Sequence, residues 1–166
     1  MKASYQIASA GFLALAISTV FSAAWAVDSI VGTWRLVSWS EEETESKTVR
    51  NIFGEHPNGL LTLTADGRMM AIYTDPSRKA PAQTKITDAE ALQLFQTMNA
   101  YAGTYKIEDD KLIIRREIDA RGAFVGAEQV RFFKVDGDRL QYKSAPFVSS
   151  FDGKQIVSNL VWDRVK

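Results

Sequence analysis

Arg116 lies in the series Leu112, Ile114, Arg116 and Ile118, where every second residue of an otherwise aliphatic run shares one face of a strand. Burying a guanidinium without a counter-charge is costly. Such an arginine therefore holds an acidic ligand head group, forms an internal pair with Glu128, or reaches water at the end of its strand. Tyr101, Gly103, Tyr105 and Ile107 share a face of the preceding run, and Met69, Ala71 and Tyr73 form another inward set, with Leu140 and Tyr142 a third. In the next run Glu128, Val130 and Phe132 alternate with Gln129, Arg131 and Phe133. Each of these two sets carries an aromatic and a charge, so alternation alone leaves open which of them points inward. Tyr73, Tyr101, Tyr105, Arg116, Glu128, Arg131 and Tyr142 are accordingly the candidate ligand-binding residues. Apolar walls with a few convergent polar groups are what a small-molecule pocket requires, and the same aromatics serve equally as plain core.

Other chemistry finds little support in the residue types. The single histidine, His56, stands in the turn-rich stretch Phe53-Gly54-Glu55-His56-Pro57-Asn58-Gly59 and reads as a solvated loop side chain with no orienting carboxylate across a site. With no cysteine, transition-metal ligation would fall on carboxylates, and no EF-hand spacing is present, so no metal site is assigned. There is no Gly-x-Ser-x-Gly elbow, no phosphate-binding glycine loop and no dinucleotide fingerprint. No catalytic residue and no cofactor are therefore assigned. Any reaction would rest on carboxylate, tyrosine or arginine side chains in a dry interior.

The elements that must position these side chains read as strands. Short β-branched and aromatic runs cover residues 32–40, 47–53, 59–64, 68–74, 100–108, 111–119, 127–135, 139–144 and 155–165, punctuated by turns at Asp66-Gly67, Glu108-Asp109-Asp110, Asp136-Gly137 and Asp152-Gly153. Hairpins in such a succession favour an all-β, single antiparallel up-and-down barrel of about eight to ten strands, because closure removes the exposed edges of an open sheet. A two-sheet sandwich is the rival, and it needs more long crossings than this chain offers. One stretch departs from period two. Thr87 can cap a helix with Glu90 three residues on, and Ala91, Leu94, Phe95 and Met98 then share a face. After the loop from Pro76 to Pro81, this short helix either covers the barrel mouth or packs on its wall.

The chain opens with Lys2, an apolar stretch from Ile7 to Phe21 and the small residues of Ala24-Trp25-Ala26, which reads as a secretory leader cleaved after Ala26. The stretch is short for a membrane span and is diluted by Ser9, Ser18, Thr19 and Ser22. The expected organisation is a leader over residues 1–26 and one barrel domain over residues 27–166, soluble and periplasmic or secreted, without a transmembrane span after processing. Without cysteine there is neither a lipid anchor on a new N-terminal cysteine nor a disulfide staple, so the domain must be held by its core. The 20 basic and 20 acidic residues balance, and the longest like-charge run is Glu41-Glu42-Glu43, read as the solvated outer end of a strand. No nucleic-acid footprint exists in such a distribution.

Near the start of the first run stands Gly32-Thr33-Trp34, and near the end of the last stands Trp162-Asp163-Arg164. First and last strands of a closed meander are neighbours, so Trp34 can plug one end of the barrel while Arg164 lies across its ring, with Gly32 letting backbone pass close to the indole. On these residues the chain resembles the lipocalin and calycin barrels. It is more closely similar to the bacterial lipocalin-like domain family, through Ile30-Val31-Gly32-Thr33-Trp34-Arg35-Leu36-Val37-Ser38-Trp39, Gly59-Leu60-Leu61 with Asp66-Gly67-Arg68-Met69, Tyr101-Ala102-Gly103-Thr104-Tyr105, Glu128-Gln129-Val130-Arg131-Phe132-Phe133, Asp138-Arg139-Leu140 and Leu160-Val161-Trp162. The resemblance implies the barrel and the structural signature Gly32, Trp34 and Arg164. It implies no particular activity. Unlike the better-known secreted lipocalins, this chain lacks disulfides and has its helix in mid-chain.

The leading expectation is an exported barrel that binds a small lipophilic or aromatic molecule in its interior, which calls for a sizeable internal cavity. A barrel enzyme carrying out an isomerisation or cyclisation is the second, and it calls for a pocket carboxylate or arginine with a displaced pKa. The third is a barrel filled by its own side chains that acts through its surface. Ligand identity and oligomeric state are not legible in the sequence.

Overall fold

A computed structural model describes residues 30–149 and 151–166. The expected leader, residues 1–26, lies outside the described residues. The strands are β1 (Gly32–Glu43), β2 (Val49–Asn51), β3 (Asn58–Leu63), β4 (Arg68–Thr74), β5 (Met98–Glu108), β6 (Lys111–Asp119), β7 (Glu128–Asp136), β8 (Arg139–Ser144), β9 (Phe147–Val148) and β10 (Gln155–Arg164), and the helix α1 (Asp88–Gln96) lies between β4 and β5. All pairings are antiparallel. The sheet runs β1-β3-β4-β5-β6-β7-β8-β10, and β10 returns to β1 to close an eight-stranded barrel, while β2 and β9 are short additions beside β1 and β10. Closure is extensive: Trp34 stands opposite Arg164 and Glu43 opposite Ile156.

The turn residues make the hairpins tight. Asp109 (φ 56°) takes the left-handed conformation between paired Glu108 and Lys111, as Gly137 (φ 57°) does between paired Asp136 and Arg139. The run expected over residues 47–53 shrinks to β2, because Lys47 and Phe53 both have positive φ and bend the chain away at each end. The short strand β9 gave no sequence signal.

Two bulges set which side chains face inward. In β1 the register against β10 shifts between Leu36 and Ser38, so the buried series Trp34, Leu36 changes phase to Trp39, Glu41. In β6 the partners of Ala102 and Gly103 are Ile118 and Arg116, leaving Glu117 as the extra residue. The bulge sends Ile118 out to solvent, 69% exposed, and ends its expected sharing of a face with Arg116. It brings the Asp119 carboxylate inside instead, with only 1% of that side chain exposed. Gly103 permits this approach, since a Cβ there would collide with the Arg115 carbonyl oxygen.

The core fills the barrel from one end. Trp34 is fully buried, its Nε1 donates to the Ile30 carbonyl at 2.8 Å, and the Arg164 guanidinium lies 4.1 Å from the ring centroid while donating to the Val31 carbonyl at 2.8 Å. Gly32 (φ 140°) runs so close that a Cβ would sit 2.7 Å from an Arg164 nitrogen. Above this plug pack Leu61, Leu63, Met69, Leu112, Ile114, Leu140 and Trp162, all buried. The helix carries its expected capping box, with Thr87 Oγ1 accepting from the Glu90 amide and the Glu90 carboxylate accepting from the Thr87 amide. Ala91 and Leu94 on its apolar face are half-buried and none of its residues is fully buried, and Met98 belongs to β5. No described helix is long and apolar enough to cross a membrane.

Candidate functional site

At the end of the barrel away from Trp34 lies a cavity of about 40 Å³, walled among others by Trp39, Glu41, Tyr73, Tyr101, Arg116 and Arg131. That is room for roughly three water molecules. Its floor is aromatic: the Trp39 and Tyr73 ring centroids are 5.1 Å apart, Tyr73 and Trp162 5.6 Å, and Tyr142 and Trp162 6.2 Å. The Tyr73 and Tyr101 hydroxyls share a hydrogen bond of 2.9 Å. Burial first, and then the neighbouring Tyr101, pushes the Tyr73 phenol well above its usual range; burial does the same for Tyr142. Both are neutral hydroxyls at physiological pH. Around the rim stand Phe124, Phe147 and Phe151.

Charges reach into this space from three strands. Arg116 projects from β6 and donates to Asp119 at 2.5 Å, with its guanidinium 3.7 Å from the Tyr101 ring centroid and 5.0 Å from that of Phe124. Its partner is thus Asp119, not Glu128, because the β6 bulge turns Asp119 inward. Glu41 projects from β1, only 2% exposed, and accepts from Arg50 at 2.8 Å and from Ser158 at 3.3 Å. This corrects the reading of Glu41-Glu42-Glu43 as a solvated end; the β1 bulge rotates Glu41 inside. Burial holds its carboxyl above the ordinary range in spite of Arg50, whereas Arg50 is itself raised by its bonds to Asp152 and Glu41. The two partners shift differently because Glu41 has lost its water and the Arg50 side chain, 39% exposed, has kept much of its own. Arg131 projects from β7, 7% exposed, and burial lowers its pKa.

Of the seven candidate residues, Tyr73, Tyr101, Arg116, Arg131 and Tyr142 surround this one cavity. Two do not. Tyr105 faces the interior nearer the plugged end, where its hydroxyl donates to the Thr64 carbonyl at 2.7 Å. Glu128 is exposed at the start of β7, whose inward set is Gln129 and Arg131. Sequence reasoning missed Trp39, Glu41, Asp119 and Arg121, all at the cavity wall. Trp39 and Glu41 fall out of phase with Trp34 and Leu36, and a tryptophan on the apparent outer face was a readable sign of a bulge. Arg121 follows β6, donates to the Met98 carbonyl at 3.1 Å beyond the helix, and stacks 4.2 Å from the Phe151 centroid, tying α1 to the rim.

A closed antiparallel barrel with a tryptophan plug and a C-terminal arginine across it is the architecture that the sequence motifs anticipate. The family model of the lipocalin-like domain matches residues 31–165, nearly all that the structure describes. The chain belongs to the lipocalin-like domain family. No curated protein matches it. Membership agrees with the all-β barrel and with ligand binding in general, as lipocalin barrels take small lipophilic molecules. Among the described residues no three His, Asp or Glu side chains cluster to hold a metal ion.

Proposed function

We propose that this lipocalin-like barrel binds a small molecule with a compact aromatic or apolar body in the cavity among Trp39, Tyr73, Tyr101 and Tyr142, and that it does so as an exported, periplasmic or secreted protein. The location rests on the leader-like residues 1–26. The binding reading rests on one observation above the others. Buried polar atoms at the cavity wall, Trp39 Nε1, Asn99 Oδ1, Tyr142 Oη, Arg116 Nε and Arg121 Nε, have no partner among the described residues. A barrel interior built only as core pairs such atoms or replaces them by apolar groups, since each costs on the order of 1–3 kcal/mol when left unpaired.

The small volume supports a second reading, a barrel filled by its own side chains and acting through its surface, because sites for drug-sized ligands measure roughly 300–1,000 Å³. Native mass spectrometry of the protein from its own host separates the two. A co-purifying small molecule is expected, together with thermal stabilisation by small aromatic compounds. Apo protein alone, with no stabilisation by any such compound, would favour the filled barrel. Turnover of the bound compound would instead favour the reading as a barrel enzyme.

A further inference from the structure

Besides Asp119, three charged side chains are buried among the described residues: Glu41, Arg116 and Arg131. Two are neutralised, Glu41 by Arg50 at 2.8 Å and Arg116 by Asp119 at 2.5 Å. Arg131 has no carboxylate partner among the described residues. Its five N–H donors meet only the Val130 carbonyl at 3.2 Å and the Gln129 side-chain oxygen at 3.4 Å, with the Phe147 ring centroid 5.6 Å away. The position is fixed by the sheet, since Arg131 pairs with Leu112 on one side and Ser144 on the other. A lone buried guanidinium is costly to keep, and an apolar residue of similar volume would pack there at no such cost. The unpartnered atoms around it lean the same way. Trp39 Nε1, Arg116 Nε and Arg121 Nε can only donate and Tyr142 Oη can do either, while Asn99 Oδ1 alone can only accept.

Resting on the binding reading above, we propose that Arg131 is the anchor for the carboxylate of a small organic monoanion, whose apolar or aromatic body lies against Tyr73, Tyr101 and the rim phenylalanines. A carboxylate supplies what Arg131 lacks: a negative charge for its own unpaired positive charge, and acceptor lone pairs in the planar arrangement that a guanidinium binds bidentately. The aromatic wall favours a carbon skeleton over a bare inorganic ion. Gln129 and Tyr142 are placed as positioning residues, the first bonding the guanidinium and the second offering a neutral hydroxyl.

The test uses benzoate and hexanoate as probes, benzyl alcohol and hexanol as their uncharged counterparts, and chloride and phosphate as inorganic controls, each followed by calorimetry and thermal shift at neutral pH. The carboxylates are expected to bind at least about ten-fold more tightly than the alcohols, a difference of about 1.4 kcal/mol. Arg131→Met should erase that preference, leave alcohol binding in place and raise the melting temperature of the unliganded protein. Arg131→Lys, which keeps the charge without the planar fork, should retain part of the preference and covers the case in which the methionine variant fails to fold. Alcohols binding as well as carboxylates, or Arg131→Met leaving carboxylate binding intact, would overturn the anchor and leave the cavity reading standing. Chloride or phosphate binding as tightly as benzoate would overturn the organic acid. If none of the six compounds binds, the cavity reading falls with it.

Discussion

Glu41 shows how one residue's setting becomes a property of the whole protein. Its carboxyl is held above the ordinary value of 4.5, chiefly by burial and against the pull of Arg50. A carboxyl raised on folding favours the folded state most where it is protonated, below the ordinary value. That contribution is lost as the pH climbs through the raised folded value. The carboxylates Glu43, Asp152 and Asp163, which ion pairs and hydrogen bonds hold low, act in the opposite sense and are common to wild type and variant. Glu41→Gln carries no proton. The stability of wild type relative to this variant, from urea unfolding, should therefore be greatest under acid conditions and decline toward neutrality. A difference that stays flat or grows with pH would mean that Glu41 is not desolvated. The sequence concealed this residue because strict alternation from Trp34 and Leu36 places it outside, and only the extra residue in β1 brings it in. Tyr73, Tyr101 and Tyr142 were legible because they lie in runs whose alternation to their own β-turns is unbroken.

At the scale of elements, the turn chemistry carried most of the information. Asp-Gly and Asp-Asp pairs fix hairpin positions to within a residue or two, and the strands between them follow from alternation. What escaped were features whose cause lies across the sheet: the bulges, and β9, a two-residue strand that exists because β10 offers Ile156 and Gln155 as partners. The β6 bulge matters most to the site, since it delivers Asp119 to Arg116. Gly103 is its counterpart on β5, and an added methyl has only the Arg115 carbonyl and the Glu117 amide to meet. Gly103→Ala should cost about 1–3 kcal/mol by overpacking, read from urea midpoints. Chemical shifts of Arg116 and Asp119 should move well beyond those at the Trp34 end. A variant as stable as wild type with both ends unchanged would show that the close approach is not needed for the bulge.

For the molecule as a whole, stability should depend on the meeting of β1 and β10, the two strands farthest apart in sequence. β10 supplies Ile156, Leu160 and Trp162 to the core, pairs with β8 on its other side, and ends in the arginine that covers Trp34. A chain ending at Ser144 loses all of these together. It also exposes the edges of β1 and β8, which become templates for pairing with other chains. It is expected to lack a cooperative unfolding transition and native near-ultraviolet dichroism, and to aggregate. The segment between β4 and β5 gives the contrasting case. Thr74 pairs directly with Met98, and α1 buries no residue, so a short Gly/Ser loop in place of residues 76–96 should close the same hairpin. Loop closure depends weakly on length, so this deletion should leave the urea midpoint within about 1 kcal/mol of wild type. It removes far more of the middle of the chain than the eye would expect a small barrel to spare. The two deletions are of similar length, so a barrel held by its size would respond alike to both. If the chain ending at Ser144 keeps a sharp transition, or if the loop replacement unfolds the protein, closure by β10 is not what holds the barrel together.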